Sequence, residues 1–546
     1  MKQRLLLSVL AVFMTMTMVA APKPKPQLYV PMDYSTCGYR ASEQRIPDVK
    51  NVLFVDKAAD LQRAIDEVSS MKPEKRGAIL IAEGTFFLDE PLRIKASGVV
   101  LRGMGKGKTV LAKRGYDRGA VIYVEGQSER EKPHFTVDKQ RNIHQADERL
   151  IAITDKMVKA GATSFAVKSV KGLAVGQRIR ILRPSTWDWI CSLKMDDFGG
   201  DLDYTGWKPT DIDIEWERTI TAIDGNRLTV DAPITCTMTA EQGGGYIINT
   251  YNKGEITEVG IENLTLESTK NDWNPKDEDH CWDGIYMENA RDCWVRRVDF
   301  RHFAGSAVNL QRHTSRITVE DCIASEPVSE IGGWRRQVFL TRGQQCLFQR
   351  CVSRHGIHDF AAGYCAAGPN AFVQCDGEQS LGFSGSIGSW ACGLLFDIVN
   401  VDGHDLAFKN MEQFQMGTGW NTANSMFWQC TASTLWCYSP DSLNLCSAHG
   451  CWGTLTGNGN WTGSNNHVTP RSLFYHQLEE RLSRQSGVTS GSAVNGYILP
   501  IAGEASTSPT VEEAMALAME SLKTPRTTME MWMDSIPYTA SLSAKG

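Results

Sequence analysis

A four-residue phrase constrains this chain most: an apolar residue, two mostly polar ones, then a small or apolar residue. It begins at Ile261, Val295, Val319, Phe348, Phe372, Phe408 and Phe427, with gaps of 34, 24, 29, 24, 36 and 19 residues. Those gaps scatter around the length of one turn of a parallel β-helix, the longer ones leaving room for loops. Each phrase is short enough only for a strand, whose alternation sends one side chain inward and the next outward. Stacking the phrases puts Cys322, Cys351 and Cys375 above one another, with Val298 below and Cys430 further up.

The same register fixes the outside. Counting four on from the ladder gives His302, Glu326, His355 and Gln379, and counting three on gives Arg301, Ser325, Arg354 and Glu378. With rungs about 4.8 Å apart, Arg354 and His355 lie one rung from Glu326 on one side and Glu378 on the other. A mixed acidic and basic column along one flank suits a polymeric ligand.

At 546 residues the chain exceeds an ordinary domain, but a solenoid grows along one axis and escapes the usual size limit. A hydrophobic fraction of 42%, with 22% charged residues, describes a globular protein rather than a disordered one. The net charge of −6 offers nothing to a nucleic acid. Residues 1–21 begin with Lys2 and Arg4, continue through an apolar run and end at Ala20 and Ala21, which reads as a secretory signal peptide. No cysteine closely follows the run, no later stretch could span a bilayer, and removing the leader makes the charge −8. The expected location is secreted or periplasmic. Of the 15 cysteines, those at ladder positions read as small buried hydrophobes, whereas Cys437, Cys446 and Cys451 are the candidates for disulfides.

Taken in order, the chain divides into the leader, a tether over 22–45, an N-terminal cap with the first turns over 46–149, and an inserted β-module over 150–251. The main β-helix with its C-terminal cap over 252–485 and a linker with a short helix over 486–546 complete it. The apolar spacing of Leu61, Ala64, Ile65 and Val68 is helical, and strands follow at 77–81 and 98–103. This helix, the run Ala-Ile-Leu-Ile-Ala-Glu-Gly-Thr-Phe-Phe-Leu from Ala78 and the run Val-Val-Leu-Arg-Gly-Met-Gly from Val99 resemble the N-terminal cap and first turns of the pectate-lyase-like superfamily. With the later repeats, the resemblance covers about 60–125 and 254–433. It implies an all-β, right-handed parallel β-helix carrying a small inserted β-module and short capping helices. The superfamily spans lyases, glycosidases, esterases, epimerases and non-enzymatic phage and virulence proteins, so the resemblance specifies fold and not activity. Neither the Gly-His-Gly and Arg-x-Lys pattern of polygalacturonases nor the Arg-x-Pro-x-x-Arg pattern of true pectate lyases is present.

Several segments could carry chemistry. The segment Arg354-His355-Gly-Ile-His358-Asp359 has the densest acid and base groups on the solenoid: histidine can move a proton near neutrality and arginine can hold a carboxylate in two hydrogen bonds. Together they suit β-elimination beside a uronic acid, or else form a salt-bridged turn. Glu326 and Glu378, two rungs apart, suit a hydrolase carboxylate pair instead. Arg312, Trp334, Arg335 and Arg336 could line an anionic groove, and Trp390 and Trp420 belong to a long irregular turn that builds a cleft wall. Trp187 and Trp189, in an aromatic and acidic loop continuing through Asp201, Asp203, Tyr204 and Trp207, read as an ordered lid or as a sugar-stacking platform. The acidic run 276–284 reads as a solvated loop. Its oxygen donors would also suit Ca2+, although EF-hand spacing is absent, and no cofactor is otherwise implied. His280 and Asp283, just before a strand, are expected at a cleft rim. The leading expectation is an exported enzyme cleaving an acidic polysaccharide by β-elimination; a glycoside hydrolase and a non-catalytic glycan-binding solenoid are the alternatives.

Overall fold

A computed structural model describes residues 30–127, 132–199, 205–249, 254–414 and 418–486. The leader, the start of the tether, Asp201, Asp203 and Tyr204, and the short helix expected within 486–546 lie outside the described residues. The chain winds into a parallel β-helix of 26 strands arranged as three ladders. The first ladder runs through Ala78–Ile81, Val100–Arg102, Thr318–Glu320, Leu347–Gln349 and Met426–Trp428. The second includes Thr109–Lys113, Ile323–Ser325 and Val352–Arg354, and the third includes Ala120–Glu125, Asp283–Glu288, Val308–Leu310, Gln337–Thr341 and His358–Ala362.

The recurring phrase is the corner between the first and second ladders. Its third residue has a left-handed backbone at Asn263, Arg297, Asp321, Arg350, Gln374, Ile398 and Gln429. One such residue turns the strand sharply, so that the residues at both ends of the phrase enter the core. Cys322, Cys351, Cys375 and Cys430 are fully buried in a single column with Val298. Phe348, Phe372 and Phe396 stack above one another at centroid separations of 4.9 Å. The phrase expected at Phe408 belongs elsewhere: Phe408 is in the third ladder, and the true corner of that turn is Phe396-Asp397-Ile398-Val399, with Cys375 paired to Val399. A branched apolar residue, Ile398, occupies the left-handed position there and hides the pattern.

Gly260 pairs directly with Val100, and Thr265 with Val110, so the turns on either side of the insertion are consecutive rungs. The chain leaves the solenoid after Glu125, earlier than residue 150, because the hairpin Phe135–Val137 and Ile143–Gln145 pairs only with itself. A six-stranded antiparallel sheet follows, centred on Arg178–Arg183 and Ile214–Asp224. At the N-terminal end, the helix Leu61–Ser70 buries Leu61, Ala64, Ile65 and Val68 against the first rungs.

Two expectations change. The helix Leu473–Ser486 does not close the end of the solenoid but lies along the outer face of the first ladder. There Leu347, Ala371, Val373, Leu395, Met426 and Trp428 form an apolar strip that Phe474, Tyr475 and Leu478 cover. Nor is 30–45 a free tether, since Tyr34 and Cys37 are fully buried in the same layer and Tyr34 N–H donates to Gln477 Oε1. All 15 cysteines, including Cys437, Cys446 and Cys451, are free thiols, and only Cys191 is exposed.

Phe372→Ala, which removes the middle ring of the stack, should lower unfolding free energy by about 3–5 kcal/mol in urea titrations. Asp359, buried in the wall, accepts hydrogen bonds from Ser353 Oγ and Ser380 Oγ, and burial pushes its pKa up to about 6. The folded chain therefore holds this proton more tightly than the unfolded chain. The resulting stability is full in acid and is lost as pH rises from about 4 through about 6. Asp359→Asn should flatten that part of the urea midpoint against pH profile.

Candidate functional site

The outer face of the third ladder carries the densest open polar cluster near the insertion. Ile122, Ile285, Val308, Phe339 and Phe360 point into the core, so the alternate positions face outward. Tyr123 pairs with Tyr286, Tyr286 with Asn309, Asn309 with Leu340 and Leu340 with Ala361. The face is thus polar in the lower turns and apolar above, where Leu340, Ala361 and Ala407 are covered by Phe383, Met411 and Phe414. Loops from the second ladder, including 269–282 and 326–336, border one side. The inserted module docks on the other through Arg312 Nη2 to Asp213 O (2.8 Å) and Trp216 Nε1 to Ala367 O (3.0 Å).

Across the open floor runs a hydrogen-bonded relay over three consecutive turns. Ser306 N–H donates to Asp283 Oδ1 at 2.8 Å and Asn309 Nδ2 to Asp283 Oδ2 at 2.9 Å. Gln311 Nε2 donates to Asn309 Oδ1 at 2.6 Å, and Arg342 Nη1 to Gln311 Oε1 at 3.2 Å. These contacts fix both amides. Burial pushes the pKa of Asp283 up, against the pull of its hydrogen bonds and of Arg342. Arg342 lies over Gly363, where a Cβ would meet its side chain at 2.4 Å, and its Nε has no hydrogen-bond partner among the described residues. Beside the relay, Tyr286 donates to Glu288 Oε2 at 3.1 Å; burial and then the Glu288 charge raise its pKa, so the phenol stays protonated. The ring of Tyr123 packs 5.5 Å from Tyr286, and Arg93 caps Tyr123 at 4.2 Å.

At the module's edge the floor is flanked by a charged recess of about 480 Å³ containing Arg180, Asp211, Asp213, Glu215, Arg312 and His313. Arg180 pairs with Glu215 at 3.0 Å, while burial raises the pKa of Asp213 despite hydrogen bonds from Ser185.

The residues singled out from the sequence fall into two groups. Glu326, His355, Arg354 and Glu378 share one corner as expected: Arg354 Nε meets Glu378 Oε2 at 2.8 Å, Glu326 meets His302 Nε2 at 3.3 Å, and Glu326 and His355 are exposed. Arg354 also borders a water-sized crevice of about 20 Å³ with Phe303, Pro327 and Arg336. Trp334 is exposed, Arg335 is ion-paired with Glu278 near the ring of Trp282, and Arg312 reaches the recess.

A second group is enclosed. His358 is buried between Phe383 and Phe414 with Nδ1 2.7 Å from Phe383 O, and burial lowers its pKa to about 4. Asp359 is inside the wall, and Arg336 is buried against Ser329. Trp189 and Trp390 form a core cluster with Trp207 and offer no open ring face, while Trp187 is stacked by Arg141 at 4.0 Å and Trp420 is half-buried beside this core. Of the acidic run, His280 is buried against Ser268 Oγ and two backbone carbonyls, so only Asp283 reaches the floor. Among the described residues no three His, Cys, Asp or Glu side chains are grouped to hold a metal ion, and no helix is long and apolar enough to cross a membrane.

No sequence feature singled out Tyr286, Asn309, Gln311 and Arg342. Arg312 had drawn notice next door, but the third ladder has no recurring phrase by which to count its register.

Residues 459–546 match a family described as a domain of unknown function (DUF6298). No curated protein matches the chain. Similar solved structures include the tailspike protein gp49 from Pseudomonas phage LKA1, at 12% identity and a TM-score of 0.36, covering 76% of this chain and 74% of that one. The A-module of the Azotobacter vinelandii mannuronan C-5 epimerase AlgE6 is also similar, at 12% identity and 0.27, covering 76% and 87%. So is an alginate lyase from Paenibacillus sp. str. FPU-7, at 10% identity and 0.29, covering 76% and 98%. At such scores any functional reading rests on this chain's own residues.

Proposed function

We propose that the protein is an exported carbohydrate-active enzyme that lays an acidic polysaccharide across the outer face of the third ladder and cleaves it by β-elimination. The observation that carries this reading is the half-buried Arg342, whose Nη1 donates to Gln311, in a relay with a carboxyl whose pKa burial has raised. A guanidinium matches a uronate carboxylate in geometry and charge, and neutralising that carboxylate acidifies the neighbouring C5 proton.

In this reading Asp283, as the carboxylate, takes the C5 proton; its raised pKa makes it a stronger base than an exposed aspartate. The C4–O4 bond breaks as the C4=C5 double bond forms, and the Tyr286 phenol gives its proton to the departing O4. Glu288, which accepts the Tyr286 hydrogen bond, holds the phenol in place. Arg354, His355, Glu326 and Glu378, with Trp334 and Arg335, form a rim that binds neighbouring sugar units rather than reacting with them. A second reading is hydrolysis, with Asp283 as the general acid and Glu288 as its partner carboxylate, favoured by the same burial of Asp283.

Purified protein incubated with uronate-rich polysaccharides should release products that absorb in the near ultraviolet. Asp283→Asn, Arg342→Ala and Tyr286→Phe should each lower kcat/KM by about 100-fold or more. New reducing ends without that absorbance would transfer the reading to hydrolysis, and full activity in both Asp283→Asn and Arg342→Ala would remove the site. Arg354→Ala should raise KM several-fold and leave kcat within about twofold, since it acts at the rim.

A further inference from the structure

The inserted module and the solenoid meet around two thiols. Cys236 comes from the module and Cys392 from the strand Ala391–Cys392, 156 positions later, and both are fully buried in one apolar cluster with Trp189, Trp390 and Cys365. The two backbones cross closely: a Cβ on Gly393 would meet Thr235 Cγ2 at 2.7 Å, so residues 235–236 run against 392–393. Cys236 Sγ donates to Thr237 O at 3.8 Å and Cys392 Sγ to Trp390 O at 3.6 Å. Arg183 is buried in the same cluster, its guanidinium 3.5 Å over the Trp189 ring, with Nη2 lacking a partner among the described residues. Burial pushes both thiols up, while the nearby Arg183 charge pulls both down and favours a thiolate at this pair.

We propose that Cys236 and Cys392 form a reversible disulfide that staples the inserted module to the β-helix. The oxidant is a small-molecule or protein disulfide. The Cys236 thiolate attacks one of its sulfurs and expels a thiolate, giving a mixed disulfide. Cys392 then loses its proton and attacks the Cys236 sulfur, expelling the second thiol; two protein thiols are oxidised and one external disulfide is reduced to two thiols. Arg183 also stabilises the reduced pair through the Cys236 thiolate, so this link opens more readily than a disulfide without a neighbouring cation. The long loop it closes makes it stabilising when formed. Cys365 is the competitor within the same cluster and sets the specificity of the test.

The full-length protein is equilibrated with oxidised glutathione, denatured with an alkylating agent present, digested without reductant and mapped by mass spectrometry. The expected product is a peptide pair joined through Cys236 and Cys392, with Cys365 alkylated. Thermal unfolding of the oxidised protein should show a midpoint about 3–5 °C higher than after reduction. Cys236→Ser and Cys392→Ser should each abolish that difference, and Cys365→Ser should keep it. Alkylation of both Cys236 and Cys392 after oxidation, or a link through Cys365 instead, would overturn the proposal.

Discussion

The structure depends on one backbone event repeated in the turns from Asn263 to Gln429: a single residue in the left-handed region that bends the strand between the first and second ladders. Because each rung bends at the same place, side chains far apart in sequence become vertical neighbours, and the core becomes columns of like residues. The stacked rings of Phe348, Phe372 and Phe396 and the thiols of Cys322, Cys351 and Cys375 are two such columns. Left-handed backbone is costly for most side chains and is tolerated here because the packed rungs on both sides hold it. Arg350 illustrates how: at a corner, it is buried and bonded to Asp321 in the rung below, and the helix residue Tyr475 lies against it.

The same periodicity explains where polar chemistry can gather. On the third ladder, three neighbouring turns contribute Asp283, then Asn309 and Gln311, then Arg342, each bonded to the next. One and two turns above Leu340 the same outward positions are Ala361 and Gly385, and the face is sealed by Phe383 and Phe414. The polar floor is therefore short, and its extent is set by which rungs the loops leave uncovered. Arg342 can lie flat because the position above it is Gly363, which has no side chain to displace it.

The β-helix, its inward ladder and the corner column from His302 to Gln379 were legible because the first two ladders meet at a one-residue corner that keeps a fixed count. The third ladder was not, because it is separated from the second by loops of different lengths, so Asp283, Asn309 and Arg342 have no common offset. Only Asp283 drew notice, through its place before a strand. Residue type alone misled in the opposite sense at His358, Trp189 and Trp390, whose polar or planar character suggests exposure but whose neighbours enclose them. Ile398 shows the limit of the phrase itself, since an apolar corner erases the polar signal while the backbone stays the same.

The strap over the first ladder has a consequence for how the chain is made. Tyr34 is held by Gln477, 443 positions later, and Phe474 N–H is held by Asp397. During synthesis the rungs can add one upon another as they emerge, but the apolar strip of Leu347, Leu395, Met426 and Trp428 has no complete cover until the helix Leu473–Ser486 is translated. A nascent solenoid thus carries a sticky flank for most of its assembly, and that flank is the surface through which partly made chains would associate with one another or with a chaperone.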